Sequence, residues 1–129
     1  MVWTTRRVFK KVDGDPLYEF FTSFPYGNKN AVKDQRIIDI SFYRSIDRCV
    51  GLIYTTYQDK ASWESWRAEH QPELKDALAE GKQWADDRNI TVTTEQPETE
   101  DQDWSDEKYI VDGYRGYNRV TPEQILSGD

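Results

Sequence analysis

Apolar positions recur with a period of two in several short stretches and with a helical period in two longer ones. "VWTTRRVFKK" (Val2–Lys11) is rich in β-branched and aromatic residues and stops at the turn signal "DGDP". It reads as a strand with Trp3 and Phe9 on one side and Thr4, Arg6 and Val8 on the other. Asp15 then offers an N-cap and Pro16 a first helical position, and Leu17, Phe20, Phe21 and Phe24 follow at helical spacing. "RIIDISFYRS" (Arg36–Ser45) alternates cleanly, with Ile38, Ile40 and Phe42 facing one way and Asp39, Ser41 and Tyr43 the other. "RCVGLIYTTYQ" (Arg48–Gln58) follows after a tight "SID" connection, so the two segments predict a hairpin.

Asp59 or Ser62 caps the next helix, whose apolar stripe runs Trp63, Trp66, His70, Leu74, Ala77 and Leu78. Pro72 removes a backbone donor inside that pattern and predicts a kink or two abutting helices, the second capped by Gln71. The helix ends near Asp87, and "NITVTTE" (Asn89–Glu95) reads as a last strand with Ile90 and Val92 inward. The order β-α-β-β-α-β over residues 2–95 predicts an α+β, ferredoxin-like domain with an antiparallel sheet and both helices on one face. Residues 1–95 form that domain in this reading, and residues 96–129 an acidic C-terminal arm.

The sheet's other face should be mostly polar in a monomer. Instead, both sides of the Arg48–Gln58 strand are apolar or aromatic, Val50, Leu52 and Tyr54 opposing Cys49, Ile53 and Tyr57. Val8 and Tyr43 extend that second face. Such a surface calls for a partner, and a second copy related by two-fold symmetry is the economical one.

Composition narrows the classes. Five Trp, eight Tyr and five Phe give a chain of 129 residues ample area for one core. No apolar run reaches the roughly 20 residues of a membrane-spanning helix, and the N-terminus lacks the apolar stretch of a secretory signal. With a lone Cys49 no internal disulfide forms, so a cytoplasmic protein is expected. The net charge of −7 arises in residues 95–129, which hold ten acidic and three basic side chains, whereas residues 1–94 hold fourteen of each. No Lys/Arg-rich face is evident, which argues against nucleic-acid binding. There is no GxSxG elbow, P-loop or GxGxxG, and one His with one Cys argues against a zinc site.

"YTTYQDKASWESWRAEH", passing from the third strand into the second helix, resembles the dimeric α+β-barrel superfamily, and within it the antibiotic-biosynthesis-monooxygenase-like domains. In those, a strand ending in aromatic or polar residues precedes a helix with spaced aromatics, here Trp63 and Trp66, and often a histidine, here His70. The resemblance covers about residues 2–95 and implies a homodimer. It also implies a small-molecule enzyme or binder like the cofactor-independent monooxygenases, with a small aromatic ligand and neither metal nor tightly bound organic cofactor. The heme-degrading members use an Asn on the first strand, where this chain has Thr4, Thr5 and Arg6; this argues against that activity.

His70 is the candidate proton-transfer residue, since its ordinary pKa of ~6.5 suits a general acid or base. The competing reading is a helix histidine that fills space beside Glu69 and Glu73. Trp63 and Trp66 are candidate ligand walls or plain core, and three-residue spacing favours core. Arg6, Asp39, Ser41, Tyr43 and Tyr54 are candidate ligand-binding residues, an acid, hydroxyls and a cation forming a polar floor or else cross-strand pairs at a dimer interface. A cavity between sheet and helices would hold the ligand. The alternative, of a different class, is a non-catalytic homodimeric interaction module that recruits a partner through the acidic, aromatic arm. There "KYIVDGYRGYNRV" supplies enough apolar residues for an edge strand or a strap across a neighbouring subunit.

Overall fold

A computed structural model describes residues 2–24, 34–99 and 116–127. The elements are β1 (Trp3–Lys10), α1 (Pro16–Ser23), β2 (Ile37–Ser45), β3 (Val50–Tyr57), α2 (Lys60–Asp87), β4 (Thr91–Glu95), β5 (Tyr117–Val120) and α3 (Pro122–Ser127). They build one antiparallel sheet of order β4-β1-β3-β2-β5. The first four strands have the ferredoxin-like arrangement expected from the element order, and the fifth joins the outer edge of β2.

Local signals account for the helix ends. Asp15 caps α1 by accepting from the Tyr18 N–H at 3.2 Å, with Pro16 at the first position. At α2 the cap is Asp59, which accepts from the Ser62 N–H at 2.7 Å. The far end of α2 is a Schellman turn: Asn89 takes φ 56, its N–H donates to Asp86 and the Ile90 N–H to Ala85. Ile90 is thereby delivered into the core. Around α3, Thr121 Oγ1 accepts from the Gln124 N–H while Gln124 Oε1 accepts from the Thr121 N–H, a reciprocal capping box.

The principal core lies between sheet and helices: Phe9, Leu17, Phe21, Phe42, Trp84, Ala85, Ile90 and Ile125. Its rings meet edge-on or tilted, Phe21 on Phe42 at 5.4 Å and Phe20 on Trp84 at 5.8 Å. Gly51 lets α1 seat directly on β3, since a Cβ there would stand 2.1 Å from Leu17 Cγ. Ile125 of α3 is fully buried in this core, so the 96–129 segment supplies part of the sheet and part of its packing.

The structure differs from the expected pattern in four places. A bulge between Ile37 and Asp39 turns Ile37 inward (8% exposed) and leaves Ile38 outside (52%), reversing the parity at the start of β2. α2 runs through Pro72 as one helix of 28 residues rather than two. One missing donor is tolerated because tryptophans anchor both ends, Trp63 and Trp66 at the first and Trp84 at the last. Along the expected apolar stripe of α2, Trp63, Trp66 and Leu74 are half-buried and Leu78 is 67% exposed. Finally, Val92 is partly exposed on β4 whereas Ile90 is buried.

The apolar centre of the second sheet face is already buried within one chain. Val8, Leu52, Tyr43 and Tyr54 form a cluster there, Leu52 at 0% and Tyr54 at 2% exposure. Exposed apolar area on this face therefore gives no argument for a second copy. β5 pairs with the chain's own β2, Phe42 opposite Val120 and Ser45 opposite Tyr117. The rest of the expected arm, including Tyr109, Ile110, Val111 and Tyr114, lies outside the described residues. Among the described residues no helix is long and apolar enough to cross a membrane.

Candidate functional site

The antiparallel register fixes which candidate residues can meet. Trp3 of β1 and Ile37 of β2 both stand opposite Tyr57 of β3, so the three form one row on the helix side. The first turns of α2 cross this row. Trp63 tilts against Trp3 with ring centroids 5.4 Å apart, and Trp66 against Tyr57 at 6.1 Å. One turn further, the His70 ring lies 4.8 Å from Trp66, and its Nδ1 is 3.5 Å from Glu73 Oε2. Lys60 and Arg67 place cations over Trp3 and Trp63 at 5.4 and 4.9 Å. The result is an aromatic wall with His70 half-buried at its rim.

Within that wall the Trp3 indole N–H is buried and has no acceptor. The Trp84 N–H is in the same condition, but its ring sits edge-on among Phe20 and Phe24 in the hydrocarbon core. A buried donor left unpaired costs about 1–3 kcal/mol.

Arg36 ties the rim together. Its guanidinium reaches both Asp34 and Glu69 at 2.7 Å and donates to Ser65 Oγ at 3.2 Å, joining the entry to β2 with α2. The Arg36 hydrogen bonds, side chain first and then backbone, hold the Asp34 carboxyl down at about 2. The same bonds to Asp34 and Glu69 raise the Arg36 pKa. Burial pushes the Tyr57 phenol up to about 12, so this ring stays neutral.

The remaining candidates lie across the sheet. Arg6 and Ser41 both stand opposite Tyr54, and Arg6 opposite Glu95, so Glu95, Arg6, Tyr54 and Ser41 form one row over four strands. The Arg6 guanidinium is ion-paired to Glu95, its Nε donating at 2.9 Å. Tyr43 meets Tyr54 edge-on at 5.6 Å. Asp39 stands opposite Thr56, which shares a 3.1 Å hydroxyl hydrogen bond with Thr4.

Thus His70, Trp63 and Trp66 are on the helix side, and Arg6, Asp39, Ser41, Tyr43 and Tyr54 on the other, with the sheet between them. The two groups cannot share one ligand. The helix-side group instead recruits Trp3, Tyr57 and Arg36. The alternation of β1 and β3 carried the signal for Trp3 and Tyr57, whereas nothing local links Arg36 to Glu69, 33 positions away. Among the described residues no three His, Cys, Asp or Glu side chains gather as a metal site. The half-buried rings of Trp63 and Trp66 and the His70 imidazole form the solvent-facing part of this wall.

No family model matches the chain, and no curated protein matches it. Among solved structures it is similar to the crystal structure of a dimeric ferredoxin-like protein from an uncultured marine organism. The identity is 16%, the match covers 77% of this chain and 97% of that one, and the TM-score is 0.48.

Proposed function

We propose that the protein binds a small planar aromatic molecule bearing a hydrogen-bond acceptor, at the wall formed by Trp3, Tyr57, Trp63 and Trp66. The observation that carries this reading is the buried, unpartnered Trp3 N–H inside a cluster of aromatic rings. Rings supply stacking area, and the donor supplies orientation and selectivity. His70 holds or releases a proton beside the ligand, with Glu73 balancing its charge. The resemblance to monooxygenase-like dimeric α+β barrels fits this chemistry, and homodimerisation is part of the same proposal. The site lies within one chain, however, so a monomer in sedimentation equilibrium would remove the barrel and leave the site. The reading as a partner-recruiting module rests on the 96–129 arm, of which residues 100–115 lie outside the described residues.

Tryptophan fluorescence tests the proposal directly. Titrating the full chain with 2-naphthol should give saturable quenching and a raised melting temperature, while naphthalene, which lacks the acceptor, binds more weakly. Trp3→Phe keeps a ring and deletes the donor, and should weaken 2-naphthol by roughly tenfold while leaving naphthalene little changed. Equal binding of the phenol and the hydrocarbon to the unaltered protein would refute the role of the Trp3 N–H. No saturable quenching by either would refute the site.

A further inference from the structure

α2 packs onto the sheet through the tryptophans near its two ends. Among its described side chains none from Arg67 to Gln83 is buried, whereas Trp84 and Ala85 are. The helix side of the sheet is open in its middle too. There Thr5, Thr55, Ile40 and Ile53 are half-buried and Arg7 is exposed. Buried side chains bound this stretch along the strands, Trp3, Tyr57 and Ile37 at one end and Phe9 at the other. Interior strands under a helix of 28 residues would ordinarily be the driest part of such a layer. The open stretch begins two residues from Trp3 and from Tyr57, so it continues directly from the aromatic wall.

Arg7 supplies the charge of this stretch. It shares a face with Trp3, Thr5 and Phe9 and stands opposite Ile53 and Thr94. Among the described residues no carboxylate pairs with it, and no hydrogen bond or ring contact engages it. Nearby cations differ: Arg6 is ion-paired to Glu95 and Arg36 to Asp34 and Glu69, while Lys60 and Arg67 lie over Trp3 and Trp63. Solvent reaches Arg7, yet enough protein surrounds it for desolvation to lower its pKa, the Tyr57 phenol acting in the opposite sense. Exposure combined with desolvation marks a group standing in a concavity rather than on a convex surface. The mutual influence of Arg7 and Tyr57 also places the guanidinium within electrostatic reach of the wall.

We infer that the ligand of the aromatic wall is an aromatic hydroxy acid, with an oxygen for the Trp3 N–H at one end of a flat ring system and a carboxylate for Arg7 at the other. This rests on the proposed aromatic site and adds the charge its ligand carries. Arg7 lies four residues from Trp3, about 13 Å along the strand, so the ligand lies along the sheet and the long arginine side chain closes the remaining gap. A guanidinium stays protonated, and its fork meets a carboxylate with two parallel hydrogen bonds. A partly desolvated arginine with no anion of its own gains most from such a partner.

The test is a calorimetric titration of the full chain at neutral pH with 2-naphthol and with 6-hydroxy-2-naphthoate, which adds a carboxylate at the far end of the same ring. The acid should bind roughly tenfold more tightly than the phenol. Arg7→Gln should erase that preference while leaving 2-naphthol within about twofold of its original affinity. The comparison of the two ligands on the unaltered protein needs no variant, so it decides the matter even if Arg7→Gln does not fold. An acid that binds no more tightly than the phenol, or a preference that survives Arg7→Gln, would overturn the inference and leave the aromatic site standing. Binding of neither compound would overturn both.

Discussion

Adding a single methyl group at Gly51 tests how α1 is seated. Two effects oppose each other in Gly51→Ala. Restricting the unfolded chain stabilises by about 0.4–1 kcal/mol where the backbone accepts Ala. Against this, the new Cβ would stand 2.1, 2.7 and 2.8 Å from Cγ, Cδ1 and Cδ2 of Leu17, where carbon atoms normally keep about 3.5–4.0 Å. Leu17 is fully buried in one cluster with Phe9, Phe21 and Phe42, so its side chain cannot swing out to solvent. α1 must therefore lift, and overpacking of this kind costs about 1–3 kcal/mol. The clash wins, for a net loss of about 1.3 kcal/mol. At about 4 °C per kcal/mol for a chain of this length, differential scanning calorimetry should record a fall of about 5 °C. The companion variant Leu17→Ala alone should cost about 2–5 kcal/mol. On that background Gly51→Ala has room, and should become neutral or stabilising. A coupling of about 2 kcal/mol between the two positions is the signature of the contact. A Gly51→Ala protein that melts at or above the parent temperature would show that Leu17 does not rest on β3.

Other expectations follow from the same geometry. Ile37→Ala should destabilise by about 2–4 kcal/mol and Ile38→Ala by under about 1, a contrast that urea unfolding resolves and that an unbulged β2 would invert. Asp59→Ala removes the α2 cap and should cost about 1 kcal/mol by the same assay. Asp34 is depressed to about 2, so its contribution is complete above the ordinary carboxylate pKa and fades as pH falls from about 4 towards 2. Arg36→Gln should abolish that part of the acid-unfolding profile. Tyr57 is raised to about 12, so its contribution is present below about 10 and is lost as pH climbs to about 12. Ultraviolet titration should show a late-ionising phenol that Tyr57→Phe deletes.

Where local chemistry decides, the sequence was readable. Asp15–Pro16 and Asp59 cap the helices they were expected to cap, and the β1 alternation separates Trp3 and Phe9 from Thr4 and Val8 as the structure does. Long-range facts were not readable. The bulge at Ile37 exchanges two adjacent isoleucines that any alternation treats as equivalent partners in a clean pattern. "TPEQ" spelled a capping box for α3, but the acidic stretch before it concealed the signal. For the candidate site, residue type identified His70, Trp63 and Arg6, yet only the register shows that the sheet separates the first two from the third.

The late position of Ile125 bears on how the protein is made. Phe42 pairs its strand with Val120, 78 positions downstream, and Ile125 fills the core beside α1. A chain emerging from the ribosome completes β1 to β4 long before that plug exists. During this interval the nascent protein exposes an open strand edge and the unfilled flank of its phenylalanine core, surfaces prone to mispairing between neighbouring chains. Closing so long a loop also slows the final step. Synthesis rate and chaperone supply should therefore govern its yield in cells more strongly than the stability of the finished fold.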